Sequence, residues 1–260
     1  MIANHDVVDL CGMELANLSS FQLEEHIFSE LSQNRGGWVV TANLDFLRRY
    51  TLDSQARRLY QEADIRVADG MPLVWAAKLQ NTPICERVAG SSFVWNLAQR
   101  AAKDERSIYL LGGDDGAAEA CRDTLLKQWP QLNICGLSNP RVSAYPSEQE
   151  CEKILEELLA AKPDIVLVAL GSPKQEWLIR GLKKGLPASW FMGVGITFSF
   201  VGGMVDRAPE WMQKYGLEWV HRMVHDPKRL AKRYLVDDLP FAFTLFAHSL
   251  RSRLRSTKPD

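Results

Sequence analysis

Polar side chains that could do chemistry directly follow two short apolar runs of the sequence. Asp69 comes after the run 65–68, and a carboxylate at the mouth of a pocket can act as a general base on a sugar hydroxyl. The alternative, which spacing alone favours, is an Asp-Gly turn whose Asp caps the next helix. Thr41 and Asn43 close an earlier run. They could hydrogen-bond a sugar ring, or Asn43 could simply cap the helix that follows.

Two further features could bind phosphate. Gly112 and Gly113 end the run 108–111 ahead of a helical pattern. Glycines there would let backbone N–H groups approach a phosphate, although any tight turn between a strand and a helix can use such a pair. Arg87 could be a cation for a phosphate or a carboxylate, or a member of an ordinary surface ion pair.

The densest polar segment is Gly171-Ser172-Pro173-Lys174-Gln175. With Ser172 as N-cap, Pro173 at the first helical position and Gln175 at the third, the segment predicts a capping box and needs no ligand to explain it. Lys174, however, adds a positive charge to the first turn, where the helix dipole favours an acid. A cation there is explained if an anion binds, so the segment is also a candidate anion site.

Several common catalytic motifs are missing. Phe198 stands where the pattern that begins at Gly193 needs its last glycine, so no dinucleotide cofactor is predicted. P-loop and nucleophile-elbow sequences are absent as well. His221 and His225 lie four residues apart and could bind a metal, but two polar residues on a basic helix face are the simpler interpretation. The sequence therefore predicts neither a metal nor a cofactor.

These residues need a scaffold that brings strand ends together. Short apolar runs, each closed by a turn residue, alternate with helical patterns, which predicts an α/β fold with a buried parallel sheet. In such sheets ligands bind at the carboxyl ends of the strands. The clearest helix is 148–161, where Ser147 and Glu150 form a capping box and Pro163 ends the pattern. The apolar runs cover residues 38–40, 65–68, 108–111, 165–170 and 191–194.

Composition limits the class of protein. The chain has 260 residues, a formal net charge of −1 and 46% hydrophobic residues, which excludes a disordered chain, a fibre or a multi-span membrane protein. The near-zero charge argues against a nucleic-acid partner. Five scattered cysteines and the lack of a basic, apolar leader predict a cytoplasmic protein without a signal peptide.

Charge is distributed unevenly along the chain. Residues 205–260 carry 11 Lys and Arg against 7 Asp and Glu, a net +4, whereas residues 1–204 have a net −5. We therefore predict a core over 1–204 and a basic, amphipathic helical C-terminal appendage over 205–260. Its aromatic and basic residues interleave as in helices that lie on a membrane surface. The alternative is a helix docked on the core or on another subunit, and Pro240 is expected to break the apolar stretch 239–247.

Taken in order, these pieces resemble a known family. Over about residues 10–236 the sequence is similar to the TagA/WecG/CpsF family of bacterial glycosyltransferases, and the ordered series is more specific than any single motif. The resemblance implies a Rossmann-like core and an inverting, metal-independent enzyme. The motifs that carry it span residues 41–43, 67–72, 86–91, 111–113, 163–176 and 207–212.

The resemblance also implies roles for individual residues. Asp69 would be the general base on the acceptor hydroxyl, and Arg87 would help to hold phosphate. Thr41, Asn43 and Gln175 would line the sugar pocket. Lys232 departs from the arginine more usual in the family, which keeps the charge but removes bidentate phosphate binding. The basic appendage residues expected at the lipid diphosphate are Arg222, Arg229, Lys232 and Arg233.

The implied reaction leaves several points open. Such enzymes move a sugar from a UDP-sugar to an undecaprenyl-diphosphate-linked sugar in cell-surface polysaccharide synthesis, at the inner face of the cell membrane. N-acetylmannosamine is the family's best-known donor sugar, whereas relatives use UDP-glucose or UDP-N-acetylmannosaminuronic acid. A homo-oligomer is possible. A rival from another class is a non-catalytic module that binds a nucleotide or sugar, with a tail that binds a polyanion or a membrane.

Overall fold

Strands and helices alternate along the chain. A computed structural model describes residues 6–256, apart from the side chains of Arg229 and Ser256. Within this range the strands are β1 (Val7–Leu10), β2 (Met13–Ala16), β3 (Gly37–Ala42), β4 (Ile65–Ala68), β5 (Ser107–Gly112), β6 (Asn133–Ser138), β7 (Ile165–Ala169) and β8 (Trp190–Gly193).

The helices alternate with the strands along the chain, and one helical segment is a π-helix. They are α1 (Ser20–Ser32), α2 (Leu44–Leu52), α3 (Ser54–Gln61), α4 (Met71–Leu79), α5 (Gly90–Lys103), α6 (Ala117–Gln128), α7 (Glu148–Ala161), α8 (Lys174–Leu182), α9 (Thr197–Val201), α10 (Glu210–Lys214), α11 (Glu218–His225), α12 (Pro227–Ala231) and α13 (Leu239–Ser256). A 3₁₀ turn covers Lys183–Gly185, and the π-helix covers Lys232–Asp238. The capping box of Ser147 and Glu150 at the start of α7 is confirmed.

A parallel sheet forms the centre of the core, with the strand order β4-β3-β8-β7-β5-β6. Every residue of β3, β5 and β7 is buried, because helices cover both faces of the sheet. Trp38 and Val40 belong to one hydrophobic cluster and Val39 to the other, since alternate side chains of a strand point to opposite faces. The predicted α/β fold with a parallel sheet is confirmed.

The ends of β3 and β4 coincide, and this register positions the site. Thr41 pairs with Val67, and Ala42 pairs with Ala68. The backbone N–H of Asp69 then donates to the carbonyl oxygen of Ala42 at 2.8 Å. The residues that follow the two strands, Asn43 and Asp69, therefore leave the sheet side by side.

The hairpin β1–β2 and the strand β6 were not predicted from the sequence. β1 and β2 are four residues each, and their turn uses positive φ angles at Cys11 (52°) and Gly12 (85°). β6 pairs only with β5 among the described strands and keeps five of its six residues half-buried. An edge strand with Asn133, Gly136 and Ser138 shows no continuous apolar run, so hydrophobic patterning misses it.

The appendage docks on the core through its two last elements. The π-helix packs on α2, and α13 packs on α4. The sequence analysis expected Pro240 to break the stretch 239–247, and this expectation is wrong. Pro240 is the second residue of α13, where a missing N–H breaks no hydrogen bond within that helix. Phe241 and Leu245 are buried on the inner face of α13.

Helix α13 also exposes several large apolar side chains. They recur at helical spacing, so they form one stripe along the helix, here called the outer stripe. Arg251, Arg253 and Arg255 in the last turns are also exposed. Among residues 6–256, no helix combines the length and the apolar character needed to cross a bilayer. The outer stripe consists of Leu239, Phe243, Leu250 and Leu254.

Candidate active site

A cavity of about 580 Å³ lies at the carboxyl ends of β4, β3, β8 and β7, and the appendage covers one side of it. Most of the predicted site residues meet here, although they come from distant parts of the chain. The lining includes nine of them: Thr41, Asn43, Asp69, Arg87, Gly171, Ser172, Gln175, Arg222 and Arg233.

Asp69 is half-buried in the wall of this cavity and does not cap α4, the helix that follows it. Gly70 is the N-cap of α4, which has no side-chain capping bond, and Asp69 instead accepts a long hydrogen bond of 3.5 Å from the N–H of Gly90, the first residue of α5. Burial raises the pKa of Asp69 to about 6. The positive charges of Arg87 and Arg222 lower this pKa, and the negative charge of Glu218 raises it. A carboxylate with a pKa this close to neutrality can take up a proton and release it again.

Asn43 caps α2 and also lines the cavity. Its Oδ1 accepts from the N–H groups of Asp45 at 3.1 Å and Phe46 at 3.3 Å, so it caps α2. It also lines the cavity, where Nη2 of Arg233 lies 3.5 Å from the same oxygen. Because capping fixes the orientation of the Asn43 side chain, its amide group would be oriented before a ligand binds.

Gln175 is buried at the base of the cavity and is held at both ends of its amide. Nε2 donates to Oε1 of Glu176 at 2.7 Å, and Oε1 accepts from the N–H of Gly195 at 3.1 Å. A Cβ on Gly193 would lie 2.4 Å from Nε2 of Gln175, so only glycine leaves room for the amide at that strand end. The position of Gln175 is therefore fixed before any ligand binds.

The predicted capping box at Ser172 is wrong. Helix α8 begins at Lys174 with Pro173 as its cap and no side-chain capping bond. The hydroxyl of Ser172 instead accepts from Nη1 of Arg49 at 3.1 Å. Ser172 thereby joins α8 to α2 at the cavity wall, and Arg49 is a cavity cation that the sequence analysis missed.

A network of charges connects the appendage to α2. Asp45 is fully buried and forms ion pairs with Arg48 at 2.6 Å, with Arg49, and with Arg233 at 3.2 Å. Asp238 pairs with Arg48 at 3.1 Å and with Arg233 at 3.5 Å. Arg233 therefore reaches the cavity while tied to two carboxylates.

The other predicted cations of the appendage are placed differently. Arg222 lines the cavity, whereas Lys232 is exposed and is not part of its lining. Neighbouring residues of a helical segment point in different directions, so Lys232 and Arg233 do not act as a pair at one spot. The side chain of Arg229 lies outside the described residues.

Arg87 meets a carboxylate from the appendage. Its Nη1 lies 3.4 Å from Oε2 of Glu218, and Oε1 of Glu218 lies 3.8 Å from Nε of Arg207. Arg207 also donates to the hydroxyl of Ser92 at 2.9 Å. No sequence motif predicts these contacts of Glu218, because its partners are more than ten residues away in the chain and only the fold brings them together.

A second cavity of about 370 Å³ adjoins the first and shares Gly171 and Gly195 with it. Gly113 and Lys174 line it, as does Arg141, which the sequence analysis did not select. Gly112 lines neither cavity. A Cβ there would lie 2.7 Å from Leu170, so this glycine allows the close approach of β7 instead.

The fold and the site together define the class of protein. A parallel α/β sheet whose strand ends open into a cavity with carboxylates of raised pKa, Asp69 and Asp238, beside several arginines is suited to group transfer involving an anionic substrate. The chain belongs to the WecG/TagA/CpsF family of glycosyl transferases, whose family model matches residues 8–255. The protein is therefore a glycosyltransferase.

A curated relative is consistent with this membership. The chain is 28% identical over 199 residues to a protein of Bacillus spizizenii described as N-acetylglucosaminyldiphosphoundecaprenol N-acetyl-beta-D-mannosaminyltransferase. The match covers 76% of this chain and 75% of the relative.

Proposed function

We propose that this glycosyltransferase moves an N-acetylmannosamine-type sugar from a UDP-sugar to an undecaprenyl-diphosphate-linked sugar, with inversion and without a metal. The observation that carries the proposal is Asp69, a carboxylate with a pKa near neutrality inside a cavity that also holds Arg49, Arg87, Arg222 and Arg233. The substrates are suggested by the family and by the name of the Bacillus relative.

The two adjoining cavities support a nucleotide-linked donor. The sugar would occupy the first cavity beside Thr41, Asn43 and Gln175, and the nucleoside would occupy the second. Gly171, which lines both cavities, marks the junction where the diphosphate would pass, and Lys174 borders the second cavity there. A cation in the first turn of α8 then has an anionic partner.

In the proposed reaction the carboxylate of Asp69 takes the proton of the acceptor hydroxyl. The hydroxyl oxygen attacks the anomeric carbon from the face opposite the diphosphate, the bond from that carbon to the diphosphate oxygen breaks, and UDP leaves. A single displacement of this kind inverts the anomeric configuration. Guanidinium groups such as Arg49 and Arg87 supply the positive charge that stabilises the leaving diphosphate.

The appendage supports a peripheral position on the inner face of the cell membrane. The inner face of α13 is docked on the core, and its outer stripe is exposed on the opposite side, where it would contact lipid. Exposed arginines beside the stripe, Arg251 and Arg255 among them, would add attraction to anionic lipid of about 1 kcal/mol each.

The test is a transfer assay with purified protein, a panel of UDP-sugars and a short-chain lipid-diphosphate acceptor, with the product measured by mass spectrometry. The panel includes UDP-glucose and UDP-N-acetylmannosaminuronic acid, the alternative donors. Asp69→Asn should lower kcat by about 10²–10⁴-fold while UDP binding persists. Asp123→Asn, the same change on the exposed face of α6, should leave kcat unchanged.

Two results would contradict the proposal. Full activity of Asp69→Asn would exclude Asp69 as the base. Binding of UDP-sugars without turnover on any acceptor would favour the non-catalytic binding module instead.

A further inference from the structure

One side of the first cavity is apolar and belongs to two packed helices. Helix α4 starts two residues after Asp69, and its cavity-lining side chains are Met71, Pro72 and Trp75. Helix α13 packs on α4 and contributes residues spaced by three and four, which lie on one helix face. We call these six side chains the apolar wall: Met71, Pro72, Trp75, Leu239, Ala242 and Phe246.

The apolar wall reaches from the carboxylate to the protein surface. Trp75 and Leu239 line the cavity, yet they are 42% and 44% exposed, so they stand at its rim. A Cβ on Gly216 would lie 2.8 Å from the ring of Trp75, which shows how closely the indole packs on the appendage backbone. Leu239 also belongs to the outer stripe. The wall and the stripe are therefore one continuous apolar surface.

The chemical groups that line this one cavity match one kind of ligand. A carboxylate, arginines such as Arg222 and Arg233, and hydrocarbon side chains that lead outward to the rim all line it. A prenyl-diphosphate-linked acceptor carries the three complementary groups, a sugar hydroxyl, a diphosphate and a hydrocarbon chain. Neither a nucleotide nor a free sugar would cover the apolar wall, whose contact with water is unfavourable.

We infer that the apolar wall binds the first isoprene units of the acceptor's lipid chain, so that the enzyme itself selects a prenyl chain. The inference rests on the proposed function and adds to it a hydrocarbon subsite within the protein. A bilayer would then not be needed for chain recognition, although it would concentrate the acceptor. This difference makes the inference testable in solution.

The experiment compares two soluble acceptors without vesicles or detergent. Both are N-acetylglucosaminyl diphosphates, one carrying a methyl group and the other a farnesyl group of three isoprene units, each used below the concentration at which it forms micelles. The full-length protein should show a KM for the farnesyl acceptor at least about tenfold lower than for the methyl acceptor, because apolar surface is buried on the wall. The kcat values should be similar.

Variants of the wall should remove this preference. Trp75→Ala should bring the two KM values towards each other by raising only the one for the farnesyl acceptor. Phe246→Ala should do the same, and thermal unfolding would first show that this variant folds, since Phe246 also packs against the core. Phe21→Ala on α1, where the side chain is 67% exposed and is not part of the cavity lining, is the matched control and should keep the tenfold ratio.

The outcomes separate this inference from the proposed function. Equal KM values for the two acceptors in the unmodified protein would overturn the hydrocarbon subsite, while the observed transfer would still support the proposed function. A chain preference that appears only with vesicles would also overturn it, as would a full preference in both Trp75→Ala and Phe246→Ala. Absence of transfer to either acceptor, with every donor, would overturn the proposed function and the subsite with it.

Discussion

Asp69 should set the acid side of the pH–rate profile. Burial raises its pKa from 3.8 to about 6, and the proposed transfer requires the ionised carboxylate. About one molecule in eleven would then be ionised at pH 5, against about ten in eleven at pH 7, so kcat/KM should fall about tenfold over this range. An aspartate with its ordinary pKa of about 3.9 would give a nearly flat profile down to about pH 5.

The charges near Asp69 predict the direction in which variants move this profile. Beyond burial, Arg87 and Arg222 lower the pKa of Asp69, and Glu218 raises it. Arg87→Gln should therefore move the acid limb to higher pH, and Glu218→Gln should move it to lower pH, each by on the order of half a unit. The double variant should lie between them, since the two changes have opposite signs.

The assay is kcat/KM for the lipid-linked acceptor, measured from UDP release between about pH 4.5 and pH 8 in buffers of constant ionic strength. Glu119→Gln, on the exposed side of α6, makes the same charge change as Glu218→Gln at a distant site and should not shift the profile. A flat profile in the unmodified protein, or shifts of the same sign in Arg87→Gln and Glu218→Gln, would refute this reasoning.

Two further substitutions test the charge network that docks the appendage and the position of the Gln175 amide. Arg48→Met removes a guanidinium group that joins α2 to Asp238 at 3.1 Å, so it should weaken docking of the appendage by about 1–3 kcal/mol and speed hydrogen exchange in 239–256. Arg58→Met, the same change on the exposed face of α3, should not speed exchange in 239–256. Equal exchange in the two variants would show that the charge network does not hold the appendage on the core. Gly193→Ala should displace the amide of Gln175 and raise the donor KM by about tenfold or more. An unchanged KM in a folded protein would show that Gln175 does not hold the donor.

The sequence predicted which residues lie at the strand ends, but it did not predict the hydrogen bonds and ion pairs that hold them there. Asp69, Thr41 and Asn43 could be found because each follows an apolar run, and parallel strands end at one edge of a sheet. The partners of these residues could not be found in this way. Asp45 contacts Arg233, which lies 188 residues further along the chain, and no local pattern contains such a contact.

Helix starts show the same limit. The capping box at Ser147 was predicted correctly, whereas the one at Ser172 was not. The hydroxyl of Ser172 accepts from a guanidinium group of α2, and α8 begins at Lys174, one residue later than predicted. Tertiary contacts at a functional site thus override local preferences that hold elsewhere.

The base and part of its electrostatic surroundings come from distant parts of the polypeptide. Asp69 follows β4, whereas Glu218 and Arg222 belong to the appendage, and only non-covalent contacts keep them together. Undocking would admit water to the carboxylate and return its pKa towards the ordinary value. The acidity of a single side chain, followed for instance by NMR titration, would thus report whether the appendage is docked on the core, with no need for any substrate.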